Sequence, residues 1–217
     1  LSTWEGESPI TTDSQDDVKY LNATFDENVA KNPWMDIIEG YAKSNTTHFL
    51  FKIDLKDLTL PPNSTAYAVY LDVDGNTSTG CSWRRGAEYK LWYLYNKTTN
   101  RWNSSLWRFN STLGTWGGWQ FVANISAAHS LDEDTIELAY PISLLGYSQL
   151  YVFFQTHMDR EGNNDVTGMY DAYEVAPETQ GERIFIYRGS TYLSTWEGES
   201  PITTDSQDDV KYLNATF

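Results

Sequence analysis

LSTWEGESPITTDSQDDVKYLNATF, Leu1 to Phe25, returns letter for letter as Leu193 to Phe217. Identity over that length is not chance, and evolved duplicates drift apart. The chain therefore reads as one full period followed by the opening of a second. DVKYLNATF, Asp17 to Phe25, alternates like a β-strand: Lys19, Leu21, Ala23 and Phe25 share one face, and Val18, Tyr20, Asn22 and Thr24 the other. The second copy stops at Phe217, the last large apolar residue of that strand. A unit that needs the strand to complete its core would be bounded there.

Two architectures fit this pattern. In one, the copy is a donor strand, with Val210, Tyr212, Leu213, Ala215 and Phe217 packing into the open edge of a neighbouring unit. Head-to-tail donation does not close on itself, so it builds a filament of neighbouring copies. In the other, complete units follow each other like beads on a string. The expected division is an N-terminal arm and strand at 1–25, a β-sandwich at 26–188, and at 189–217 an extended linker plus the copied strand. Residues 189–209 show no apolar periodicity and read as an arm.

The rest of the unit is β throughout. The expected strands are 37–43, 47–55, 66–73, 88–95, 101–109, 116–122, 135–140, 150–156 and 183–187. Residues 66–73 are nearly continuous in apolar and aromatic side chains, as in a central strand. Pro141 is expected to stop its strand, and ISLLG to form a single helical turn. With the repeated segment this makes about ten strands and almost no helix: an all-β, antiparallel, jelly-roll-like β-sandwich.

Charge and sequons set the class. A formal charge of −15 argues against nucleic acid or an anionic membrane as partner and favours divalent cations. No apolar run is long enough for a membrane span. Asn22, Asn45, Asn63, Asn76, Asn96, Asn103, Asn110, Asn124 and Asn214 each have Ser or Thr two residues on, without an intervening Pro. That is nine of 14 asparagines, where about three are expected by chance. The excess points to N-linked glycans and an extracellular or cell-surface location, against the plainer reading of Ser/Thr-rich loops. The chain begins at Leu1 without an initiator Met, as a processed product or an internal excerpt would. The single cysteine, Cys81, offers no internal disulfide, so it is either buried and inert or paired between units.

The sharpest local motif is LDVDGNTSTG, 71–80. Asp72, Asp74, Asn76 and Ser78 fall at alternate positions, and Glu88 can approach from the next strand. Hard cations such as Ca²⁺ take several oxygen ligands from one tight loop. The pattern is not an EF-hand: its glycine is at the fourth position, and no Glu closes the loop at the twelfth. The alternative is an Asp/Asn/Gly turn with no metal. Asn76 is also a sequon, and a glycosylated Asn76 is a poor ligand, so the two roles conflict. A looser acidic cluster, Asp159, Asn163, Asp165 and Asp171, is a second possible metal site or simply a solvated loop.

AVYLDVDGNTSTG, GAEYKLWYL and TIELAYPISLLG together resemble extracellular β-sandwich domains of the carbohydrate-binding module family 9 and DOMON-like type, over roughly residues 66–156. The resemblance implies a jelly-roll-like sandwich, often with calcium, and no single ligand. Trp92, Tyr93, Tyr95, Trp102, Trp107, Phe109, Trp116 and Trp119 supply aromatic faces of the kind that stack on sugars, but alternation sends about half of them into a core. No nucleophile motif, phosphate loop or His/Cys metal spacing is present, and a Glu137–Asp171 glycosidase pair has nothing to fix its separation. The sequence therefore reads as a non-enzymatic structural repeat of a glycosylated extracellular filament, with a carbohydrate-binding module of a repetitive surface or adhesin protein as the alternative.

Overall fold

The computed structural model describes residues 4–13, 15, 16, 18–20, 32–61, 64–113, 118–144, 149–159, 170–176 and 184–187. Among the described residues, thirteen strands form two antiparallel sheets. They are β1 (Thr11–Thr12), β2 (Lys19–Tyr20), β3 (Ile37–Ser44), β4 (His48–Leu55), β5 (Thr65–Asp72), β6 (Tyr89–Asn96), β7 (Arg101–Phe109), β8 (Trp119–Ala123), β9 (Ser126–Ser130), β10 (Thr135–Pro141), β11 (Gln149–Asp159), β12 (Tyr170–Ala176) and β13 (Ile184–Tyr187). Sheet A runs β1-β3-β4-β10-β9. Sheet B runs β2-β12-β11-β5-β6-β7-β8, with β13 also pairing β11. The chain changes sheets after β1, β2, β4, β8 and β10, which makes the antiparallel sandwich that the alternation predicts.

Period-two patterning places the core. In β4, Phe49, Phe51, Ile53 and Leu55 are buried, while His48, Leu50, Lys52 and Asp54 are only partly covered. Opposite them stand Tyr67, Val69 and Leu71 of β5, Leu91 and Tyr93 of β6, and Val152 and Phe154 of β11. Strand β5 is buried at every position. Its other face, Ala66, Ala68 and Tyr70, lies under a second cluster with Trp92 and Phe153, flanked by Trp107 and Trp119. The alanines on that face make room for the indoles.

ISLLG forms the expected helical turn, as a 3₁₀ turn at Ile142–Leu144. The structure departs from the sequence reading in four places. Pro141 is the last residue of β10, paired with His48, so it ends the strand from inside it. A terminal position costs no ladder donor. SAAHS, 126–130, forms β9 on the edge of sheet A beside β10. Val18 is fully buried, although alternation put it on the outer face. Finally, Asp159 and Asp171 belong to the paired strands β11 and β12 rather than to a loop.

Candidate functional site

The first copy of the repeated segment lies along one side of the sandwich and touches both sheets. Thr11 and Thr12 pair with Gly40 and Glu39 of β3 at the edge of sheet A. Lys19 and Tyr20 pair with Tyr173 and Ala172 of β12 at the edge of sheet B. Between and before these short ladders come side-chain contacts, beginning with the turn WEGE, Trp4 to Glu7. The Glu7 N–H donates to the Trp4 carbonyl at 3.0 Å, and Gly6 has φ +82°, which glycine adopts without penalty.

That turn lays the Trp4 indole on the outer face of sheet A. Its Nε1–H donates to Glu137 Oε1 at 2.6 Å. The Lys43 ammonium sits 4.2 Å from the ring centroid, and the Tyr41 ring lies 6.0 Å away. Lys52 covers the Tyr41 ring at 3.8 Å. Glu7 faces Lys43 at 3.8 Å. Burial pulls the Lys43 ammonium below the ordinary lysine range, against the opposing pull of Glu7 and Glu137.

Further along, the Ile10 side chain enters the core and its N–H donates to the Gly40 carbonyl at 2.8 Å. Asp16 N–H donates to the buried Asp36 Oδ2 at 2.8 Å, and Lys56 Nζ reaches Asp16 Oδ1 at 2.6 Å. Burial raises the Asp36 carboxyl, while the Asp16 amide and Lys56 oppose the shift. Among the described residues of the arm, Ile10 and Val18 are large apolar side chains that become buried, each worth about 1.5–3 kcal/mol. Lys43, Lys52 and Lys56 supply the charge complementary to an acidic arm. Residues 193–217, including Val210, Tyr212, Leu213, Ala215 and Phe217, lie outside the described residues.

The acidic loop after β5 is the second candidate. Oxygen atoms of Asp72, Asp74 and Glu88 lie within 4.8 Å of one another. The Thr79 hydroxyl is 2.8 Å from Asp74 Oδ2 and 3.1 Å from Glu88 Oε1. Glu88 Oε2 accepts the Val73 N–H at 3.0 Å. Burial raises the Glu88 carboxyl, and the charges of Asp74 and Asp72 raise it further. Gly80 has φ +59°, and a Cβ there would collide with the Gly86 carbonyl and come within 2.6 Å of Glu88 Oε1. Three carboxylates in one glycine-lined bend suit a hard cation. Asn76 and Ser78 are exposed, and Asn76 Oδ1 accepts the Ser78 N–H at 3.0 Å. The structure thus gathers the three acidic residues and turns the Asn76 side chain to the local turn, which eases its conflict with a glycan.

For the second acidic cluster, Asn163 and Asp165 lie outside the described residues, as do the side chains of Asp159 and Asp171. Among the sequons, Asn45, Asn76, Asn96, Asn103, Asn110 and Asn124 are exposed or half-exposed. Most of them sit at turns between strands. Asn22, Asn63 and Asn214 lie outside the described residues.

The aromatics divide as alternation demands. Trp102 packs between Tyr93, Tyr95 and His129 near the core. On the outer face of sheet B, the Lys90 ammonium lies 4.1 Å from the Trp92 ring, 5.0 Å from Trp119 and 5.5 Å from Trp107. Burial, with Arg84 nearby, brings Lys90 down to about 7. Buried His157 is held well below its ordinary value by burial and by the charges of Arg84 and Lys90. Buried Cys81 has its thiol pushed up by burial.

No described helix is long and apolar enough to cross a membrane. Comparison with protein-family models gives no match, and neither does comparison with curated proteins. Among solved structures, the chain is similar to a carbohydrate binding module family 9 from Caldicellulosiruptor kristjanssonii, solved in complex with glucose, at 13% identity over 85% of this chain and 94% of that one, with a TM-score of 0.37.

Proposed function

We propose that this chain is a self-associating structural module of an extracellular surface, joined to neighbouring copies by a shared docking segment. The observation that supports it is the arm. Residues 4–20 fill one side of the sandwich, and the same letters recur at 196–212. Trp196, Glu199, Ile202, Thr203, Asp208 and Val210 repeat the residue types of Trp4, Glu7, Ile10, Thr11, Asp16 and Val18. The side that the first copy fills suits the second copy of a neighbour equally well, so the two can exchange there. Repeated head to tail, this gives an open filament. Sedimentation of the full chain against a chain shortened by residues 193–217 tests the reading. Assembly that grows with concentration in the first and vanishes in the second supports it. A full chain that stays monomeric at every concentration sinks it.

The sequons and the acidic loop fit the same setting. N-linked glycans at exposed turns would coat such a module, and Ca²⁺ held by Asp72, Asp74 and Glu88 would stiffen the loop between β5 and β6.

A second reading, sugar binding, is favoured by the Trp83 side chain, 59% exposed on the 3₁₀ turn Ser82–Arg84 beside the acidic loop. Exposed indole faces stack on sugar rings. Glucose, the sugar held by the family 9 module, is the first probe. Saturable binding lost in Trp83→Ala would promote this reading, and silence across a glycan array would remove it.

A further inference from the structure

We propose that the outer face of sheet A around Glu137 is a tryptophan-recognition site, and that the indole of Trp196 from a second copy of this chain is its exchange ligand. The proposal rests on the strand-exchange reading above and names the group by which the exchanged segment is recognised.

Three observations carry it. The first is burial in an unusual place. Strand alternation points Lys43 and Glu137 away from the core, because their neighbours Ala42, Ile136 and Leu138 point into it. Outward-facing charged residues are ordinarily solvated. Here Lys43 is 6% exposed and Glu137 8% exposed, in the place where the Trp4 turn lies against sheet A.

The second is chemical fit. The site offers one carboxylate acceptor at 2.6 Å from the indole nitrogen, one ammonium at 4.2 Å over the ring, and a second ammonium at 6.0 Å. Tryptophan alone among the side chains combines a broad π-face for the cations with an in-plane N–H for the carboxylate. Phenylalanine keeps only the first of these features.

The third is reversibility. Once the indole leaves, the charges of Glu137, Lys43 and Lys52 remain on the platform, with Lys52 paired to Asp54 at 2.7 Å and lying over the Tyr41 ring. Charged side chains beside that ring keep the opened platform from being a purely apolar patch. The WEGE turn that presents Trp4 and Glu7 together recurs as Trp196, Glu197, Gly198 and Glu199. A site that a charged surface can either close over an indole or leave wet is suited to exchange between identical ligands.

The test uses the full chain and synthetic peptides with the sequence of residues 193–217, followed by fluorescence anisotropy. The native peptide is expected to bind. Trp196→Phe in the peptide should weaken binding about tenfold, through loss of a charge-assisted hydrogen bond. Trp196→Ala should weaken it about a hundredfold, as for a central aromatic anchor. In a Glu137→Met chain the Trp and Phe peptides should bind alike, the coupling expected of direct partners. A Trp4→Ala chain, whose own arm competes less well, should bind the native peptide more tightly. If that variant folds poorly, the peptide series on the unaltered chain still decides. An Ala peptide that binds as well as the native one overturns the indole site while leaving strand exchange standing. Failure of the native peptide to bind the folded Trp4→Ala chain overturns the strand-exchange reading, and this proposal with it.

Discussion

Gly40 of β3 stands directly opposite Thr11 of the arm, and there is no room for a side chain between them. A Cβ on Gly40 would lie 2.8 Å from Thr11 Cγ2 and would overlap the Phe154 ring. The arm can approach this closely only because the position is glycine.

Gly40→Ala is therefore expected to press on Phe154 in the core as well as on Thr11, and the arm, held here by a two-residue ladder, is expected to give first. Overpacking of this kind costs about 1–3 kcal/mol. Amide exchange at Ile10 and Asp13, whose N–H groups donate to Gly40 and Ile38, should accelerate, while Phe51 and Val69 stay protected. Uniform acceleration across both sheets would show instead that the whole fold had weakened.

Glu88 gives a pH-dependent prediction. Its folded-state value is raised above 4.5, so between 4.5 and that raised value the folded chain holds more protons than the unfolded one. Without a cation, stability should fall as pH rises through that window. Adding Ca²⁺ at pH 7 should raise the melting temperature, and adding it near pH 4, where Glu88 is protonated, should do much less. Glu88→Gln should stabilise the cation-free protein at pH 7 and blunt the Ca²⁺ response. A melting temperature indifferent to Ca²⁺ and to EDTA at pH 7 would refute a cation role for this loop.

Lys90 predicts the opposite slope. Its value is lowered from 10.5 to about 7, so the folded chain holds fewer protons than the unfolded chain between those limits. Stability should rise with pH across that window. Lys90→Met keeps the apolar stem against Trp92, Trp107 and Trp119 and removes the titration. The variant's melting temperature should be flatter from pH 7 to pH 10 and higher than the parent's at pH 6.

At Asn45 the turn would not compete with a glycan for the side chain. Asn45 Oδ1 accepts from the Thr47 amide at 2.8 Å, the Thr47 hydroxyl at 3.0 Å and the His48 amide at 2.8 Å. N-glycosylation uses the side-chain nitrogen and leaves that oxygen in place. Asn45→Asp should keep the β3–β4 turn and lose only the glycan. Asn45→Ala should lose both, with about 1–2 kcal/mol of stability. Intact mass from a glycosylating host and melting of the unglycosylated variants separate the two effects.

The strands that alternation revealed are those whose side chains face a core. His48–Leu55 and Thr65–Asp72 were legible for that reason. Ser126–Ser130 was not, because SAAHS has no large apolar residue and owes its place to pairing with β10. Tyr170–Ala176 was masked by acidic neighbours that read as a loop. Asp72, Asp74 and Glu88 could be paired from spacing alone, since they sit at the two ends of the loop that joins β5 to β6. For Asn76 and Ser78 spacing gives nearness in the loop, but not the bond between them, in which Asn76 Oδ1 accepts the Ser78 N–H. The arm was undervalued most. Its copy at 193–209 looks featureless because its first-copy counterpart is held by an indole, two carboxylates and a single isoleucine. The carboxylate that receives the indole lies 133 residues away.

The arm is stitched to sheet A through β1 and to sheet B through β2, with both ladders antiparallel to their hosts. Tension applied along such a segment runs parallel to its strands, so the bonds of each ladder are loaded together in shear rather than peeled one by one. Both layers of the sandwich share the pull, and the joint resists stretching better than its few backbone bonds alone would indicate.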